Sequence, residues 1–321
     1  PSTPAVQEGQ LWIKTATGAS SVMKGYQAQG TGAWSSGGAL NTGRNRPGGA
    51  AKDNTSAIIF SGSVPPTSYK TETETYNGSS WTEVADVNSG RSGGVGSGKS
   101  ITAALLIGGY DGSYRGYTES WNGSSWTEVA DLNTARGERP GGGGPQTSTI
   151  IASGYTNSPS ATTLAVAETW NGSTWTEVGD LNTARYGGAG AGSSDSDAIV
   201  ASGGPTLTEN AETWDGTAWT EVGNVNTKRQ DHAAGGTGST SALIYGGANT
   251  PNSENETETW NGTSWTEVGD LATASRYMAA GTNGTAVDSI CTGGSSSGPS
   301  QNETTNQHWD VPFVTKTIGT D

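Results

Sequence analysis

The sequence predicts an all-β protein, a six-bladed β-propeller of four-stranded antiparallel blades, and three observations predict it. A tryptophan-centred phrase recurs around Trp34, Trp81, Trp126, Trp175, Trp219 and Trp265 at intervals of 47, 45, 49, 44 and 46 residues. That period belongs to propeller blades and exceeds leucine-rich and ankyrin units. Within each repeat only one segment changes length. No 3.6-residue apolar periodicity runs through the repeats, whereas Asn-Gly or Asp-Gly punctuates five of them, a hairpin signal.

The elements follow in order. After a repeated Arg comes a small-residue stretch such as Tyr186–Gly192, then an apolar run such as Ala198–Ala201 ending in glycine. Each Trp stands 28 residues before such a glycine: Gly62, Gly109, Gly154, Gly203, Gly247 and Gly293. The third strand ends at an aromatic (Tyr76, Trp121, Trp170, Trp214 or Trp260), and the fourth starts five residues later at Trp81, Trp126, Trp175, Trp219 or Trp265. All length variation falls between glycine and aromatic, with gaps of 14, 12, 16, 11 and 13. Inner strands converge on the axis and have room only for Gly and Ala. Outer strands diverge, so the tryptophans read as packing between blades rather than as a ligand platform.

Closure of the ring follows from the count. Trp309 is a sixth third-strand aromatic with no fourth strand after it, so the strand at Trp34 is expected beside it, leaving no free edge. Met23–Gln27 and Phe313–Ile318 also have strand character and would allow a seventh blade. The expected division is an N-terminal β segment over 1–30 and the propeller over 31–321.

Composition removes several classes. Lys+Arg 16 against Asp+Glu 30 gives a net charge of −14, which repels phosphate backbones, so no nucleic-acid partner is expected. No apolar run of about 18 residues exists to insert in a membrane. Cys291 alone makes neither a disulfide framework nor a thiolate cage, and His232 and His308 are the only histidines. No metal, cofactor or catalytic residue is therefore assigned, and the expected protein is not an enzyme. The outer-strand Glu83, Glu128, Glu177, Glu221 and Glu267 read as a solvated face.

Two sets of residues remain. Arg44, Arg91, Arg136, Arg185, Arg229 and Arg276 follow the fourth strands, and Glu74, Glu119, Glu168, Glu212 and Glu258 stand two before the third-strand aromatics, with Glu303 displaced. One copy per blade suits buried pairs tying neighbouring blades better than a single active site. The variable loops carry Tyr69, Tyr110, Tyr114, Arg115, Tyr117 and Tyr155 among Ser, Thr and Asn, a composition suited to recognition. Tyr110–Tyr117, YDGSYRGY, is the densest. Strand alternation places these loops on the same face as the Arg segments.

The glycine pairs Gly108–Gly109, Gly203–Gly204, Gly246–Gly247 and Gly293–Gly294, with the spaced aromatic, Trp and Arg, resemble kelch-type β-propellers over roughly Trp34 to Trp309. The compact Asn-Gly turn and the pairs Ser61–Gly62 and Ser153–Gly154 depart from that pattern. The wording WNGSSWTEVADLNTAR is similar to repeats in structural proteins of marine tailed bacteriophages, and EGQLWIKTATGASSVMKGY to tail-associated β segments. The resemblance implies a virion or extracellular structural or adhesion protein, with other virion proteins and host-surface glycan as partners. A secreted bacterial carbohydrate-binding kelch protein is the alternative, and a polysaccharide-acting enzyme with its site at the mouth of the axial channel is a third.

Overall fold

The computed structural model describes residues 11–14, 22–28, 31–65, 68–138, 140–157, 160–249, 251–280, 285–296 and 301–318. Six four-stranded antiparallel sheets form the six blades of a β-propeller. The second blade is representative: Val95–Ser100, Ala103–Ile107, Thr118–Trp121 and Trp126–Val129 pair in chain order, with Trp121 directly opposite Trp126.

The sixth blade closes the ring as expected. Ala33–Ser36 pairs with Asn306–Asp310, placing Trp34 opposite Trp309 with ring centroids 5.6 Å apart. The two candidate strands for a seventh blade instead pair with each other. Val22–Ala28 lies between Leu11–Lys14 and Phe313–Ile318 in a separate three-stranded sheet. These strands thus form a sheet of their own and add no four-stranded blade to the ring.

Small residues inside and aromatic residues outside follow from the radial geometry. A Cβ on Gly96 would lie 2.1 Å from the Gly49 carbonyl oxygen of the neighbouring blade, and one on Gly190 2.4 Å from the Gly142 nitrogen. The inner strands thus touch through backbone. Six apolar clusters occupy the six blade interfaces. In one, Trp126 of the second blade meets Phe60 of the first, centroids 4.8 Å apart. Its indole N–H donates to Thr73 Oγ1 of that blade at 3.1 Å, so the outer tryptophans do pack between blades.

The hairpin between third and outer strands differs in mechanism from the expected two-residue turn. Four residues separate Trp121 from Trp126, and only the glycine has a positive φ, +93° at Gly123. Asn122 Oδ1 instead accepts the N–H groups of Ser124 and Ser125, both at 2.9 Å. Asp215 serves equally well, accepting from Thr217 and Ala218. The dipeptide is used for a side-chain acceptor followed by a left-handed glycine.

The repeated Arg acts between blades. Asn133–Arg136 leaves the outer strand of the second blade and is pinned to Glu168 in the third. Arg136 Nη2 donates to Glu168 Oε1 at 2.5 Å, and Glu168 Oε2 accepts from Asn133 N at 2.8 Å and Nδ2 at 2.9 Å. Arg44–Glu74, Arg91–Glu119, Arg185–Glu212 and Arg229–Glu258 repeat the buried pair. Burial pulls the Arg136 guanidinium below its ordinary value, with the Glu168 charge opposing.

Arg276 does not join this ring. Gly247 N donates to Ser275 O as Gly109 N donates to Arg136 O, so Ser275 holds the sixth position. Gln307, not Glu303, holds the matching carboxylate position, accepting Ala272 N at 2.8 Å. Arg and Glu are thus both replaced at the same joint, between the fifth and sixth blades. The register of the glycine pairs also needs correction: Ser202–Gly203 is the equivalent pair of the fourth blade, and Gly204 follows it.

Candidate functional site

Directly after each Arg position, two residues turn over one end of the axis. The second of them is left-handed in every blade: Arg46 (φ 53°), Gly93 (67°), Glu138 (57°), Gly187 (63°), Asp231 (57°) and Tyr277 (61°). The cause is a collar of backbone hydrogen bonds. Arg46 N donates to Tyr277 O at 3.0 Å, Tyr277 N to Asp231 O at 3.0 Å, Asp231 N to Gly187 O at 2.6 Å and Gly187 N to Glu138 O at 2.8 Å. Glycine takes this conformation freely, as at Gly93 and Gly187. A non-glycine residue in it costs about 1–3 kcal/mol. Four blades nonetheless carry a side chain there.

These side chains line a cavity of about 370 Å³, the size of a small-ligand site. Its wall comprises Arg46, Tyr114, Glu138, Tyr155, Tyr186 and Asp231, completed by Gln230 and Tyr277. Beneath it the axial space between glycine, proline and small apolar residues of the described inner strands is about 30 Å³, room for little more than water.

An ion pair lies in the pocket wall, beside the further carboxylate of Asp231. Arg46 Nη1 meets Glu138 Oε2 at 2.5 Å, and its guanidinium lies 4.3 Å from the Tyr277 ring centre. The Tyr114 hydroxyl donates to Glu138 Oε1 at 3.2 Å. Burial would lower the Arg46 pKa, but Glu138 and Asp231 more than offset it and the guanidinium stays charged. Burial first, and then the Glu138 carboxylate, raises the Tyr114 hydroxyl. Burial followed by Asp231 and Glu138 raises Tyr186. Both phenols remain neutral donors across the physiological range.

Five tyrosines form a continuous arc from the first blade to the fourth. Tyr69 and Tyr110 have ring centres 6.1 Å apart, Tyr110 and Tyr114 5.0 Å, Tyr114 and Tyr155 5.5 Å, and Tyr155 and Tyr186 5.7 Å. Of the loop residues expected to bind, Tyr69, Tyr110, Tyr114 and Tyr155 are thus brought together, on the same face as the Arg segments. Arg115 and Tyr117 stand apart from the arc: Arg115 Nε bonds Asp111 at 2.8 Å and its guanidinium lies 5.4 Å from the Tyr117 ring. Arg276 lies beside Tyr277 at 5.4 Å.

Arg46, Glu138, Tyr186, Asp231, Gln230 and Tyr277 were not singled out by sequence. A signal existed. Asn45-Arg46, Ser92-Gly93, Gly137-Glu138, Tyr186-Gly187, Gln230-Asp231 and Arg276-Tyr277 change identity at constant length inside an otherwise repeated phrase.

Fold and geometry together define a six-bladed β-propeller with a polar, tyrosine-lined pocket at one end of its axis. No family model matches the chain, and no curated protein matches it. Among solved structures it is similar to one described as "Structure of YjhT", with a TM-score of 0.67 at 12% identity, covering 86% of this chain and 97% of that one. The likeness concerns the fold.

Proposed function

We propose that this chain is a non-enzymatic, kelch-type display propeller of a bacteriophage particle, using its axial mouth to recognise glycan on the host surface. The observation that carries the recognition reading is the occupancy of left-handed collar positions by Arg46, Glu138, Asp231 and Tyr277, where glycine would be less strained. Strain of this kind is retained where a side chain is needed. Tyrosine hydroxyls, a carboxamide and a neutralised ion pair offer donors and acceptors to a polyhydroxylated ring, and the aromatic surface offers it apolar contact.

The non-enzymatic reading rests on how the carboxylates are used. Glu138 is held by Arg46 and Tyr114, and the repeated glutamates are buried against arginine. The virion assignment rests on the wording of the repeat. Several copies on one particle would convert weak glycan contacts into avidity.

The test is a glycan array probed with the purified protein and with Tyr114→Ala and Tyr155→Ala. Binding by the native protein, lost in both variants at unchanged melting temperature, supports the proposal. Binding that survives both substitutions, or turnover of any bound glycan, contradicts it. Labelling of intact particles with an antibody to the chain tests the virion assignment.

A further inference from the structure

Building on the glycan reading of the mouth, we propose that the pocket takes the free end of a neutral polyhydroxylated chain, with the following units lying over Tyr110 and Tyr69. Three observations meet here. The axial space beneath the pocket, between the described backbone-packed inner strands, is about 30 Å³, room for little more than water, so a sugar chain finds its space in the pocket and enters it end-on. The aromatic surface is one-sided. It continues from the pocket-lining Tyr114 to Tyr110 and Tyr69, whereas the third-blade Tyr155 lies in the pocket wall itself and the loops 205–210, 248–257 and 295–304 of the fourth, fifth and sixth blades contain no aromatic residue. The chain therefore leaves over the second and first blades.

The third observation concerns chemistry. Among the described residues Arg46 is the cation of the wall, and Glu138 at 2.5 Å and the Tyr277 ring at 4.3 Å already occupy it. A carboxylate or sulfate on the incoming unit would have to displace Glu138 and face Asp231 in a protein of net charge −14. No aliphatic side chain lines the pocket among the described residues, so an apolar peptide side chain finds no complement there. A neutral sugar ring does.

The experiment uses the full chain and the neutral glycan with the strongest array signal, prepared as monosaccharide, disaccharide and trisaccharide. Calorimetry should show affinity rising roughly tenfold from one unit to three, the scale of one or two added aromatic contacts. Tyr69→Ala combined with Tyr110→Ala should remove that rise and leave monosaccharide affinity within about twofold. Tyr186→Ala should weaken all three lengths alike. The trisaccharide tethered through one end should bind, and through the other should not. Equal affinity at every length, equal binding in both tethering directions, or preference for an acidic glycan would overturn the end-on inference while leaving glycan recognition standing. Absence of binding to any glycan would instead overturn the reading on which it rests.

Discussion

Arg46 of the first blade and Glu138 of the third meet at 2.5 Å, with only Gly93 contributed at the equivalent collar position by the blade between them. Both residues are left-handed, and both are about a quarter exposed. A surface-accessible pair of this kind contributes at most about 1 kcal/mol, while two left-handed side chains cost about 2 kcal/mol or more together. The pair is better explained by what it does to the mouth than by what it does for the fold.

The double variant Arg46→Gly/Glu138→Gly tests this. It removes both charges together and returns both positions to the residue found at Gly93 and Gly187. Chemical unfolding should show stability unchanged or higher by about 1–2 kcal/mol, with glycan binding reduced at least tenfold. A loss of more than about 2 kcal/mol would show that the pair is structural.

The buried ring predicts the opposite behaviour. Arg136→Ala leaves Glu168 buried against the backbone and should cost about 3–5 kcal/mol, because a buried charge loses its partner. The sixth blade supplies a complementary test, since Ser275 Oγ and Gln307 Nε2 are buried without a partner among the described residues. Ser275→Arg and Gln307→Glu should each destabilise, and the double variant should be more stable than the sum of the two predicts. Strict additivity would contradict equivalence of this site with Arg136–Glu168.

Inner-strand packing makes a steric prediction. Gly96 has an ordinary φ, so Gly96→Ala tests space alone, and its Cβ would meet the Gly49 oxygen at 2.1 Å. The expected loss is about 1–3 kcal/mol. Gly179→Ala, whose nearest neighbour would be at 3.7 Å, should be neutral. Equal effects would mean that the blades do not touch at the axis.

Asp288 predicts a pH dependence. Burial, then the nearby charges of Asp53 and Asp310, push its carboxyl up to about 6 against the opposing Asn54 N–H at 2.6 Å. The folded state thus holds this proton more tightly than the unfolded chain does. Its favourable contribution is present below the ordinary carboxyl pKa and is lost as pH rises through about 6. Asp288→Asn keeps the acceptor without the charge. Its melting temperature should exceed that of the native protein near about pH 8, with the difference vanishing near about pH 4. A pH-independent difference would remove Asp288 as the cause.

Much of the scaffold was legible in the sequence, because an outer strand opposite a third strand tolerates no slip. The constant five residues from Trp121 to Trp126 report a fixed hairpin, and Trp309 without a successor reports the closure with Trp34. The site was half legible. Tyr110, Tyr114 and Tyr155 stand in segments whose length changes, which draws attention to them. Arg46, Glu138 and Tyr186 change at constant length, so counting intervals passes over them, and only the collar of left-handed residues reveals their common position. Arg276 shows how composition can mislead: an arginine is present near the repeat position, yet the residue ten after Trp265 is Ser275.

The most direct test of recognition at the mouth is a crystal structure of the protein with the neutral trisaccharide that binds best. The account predicts the terminal ring between Tyr114, Tyr155 and Tyr186, with the next units over Tyr110 toward Tyr69. A sugar bound on the outer strands, at the opposite end of the axis, or on the Asn306–Asp310 side of the ring would contradict it.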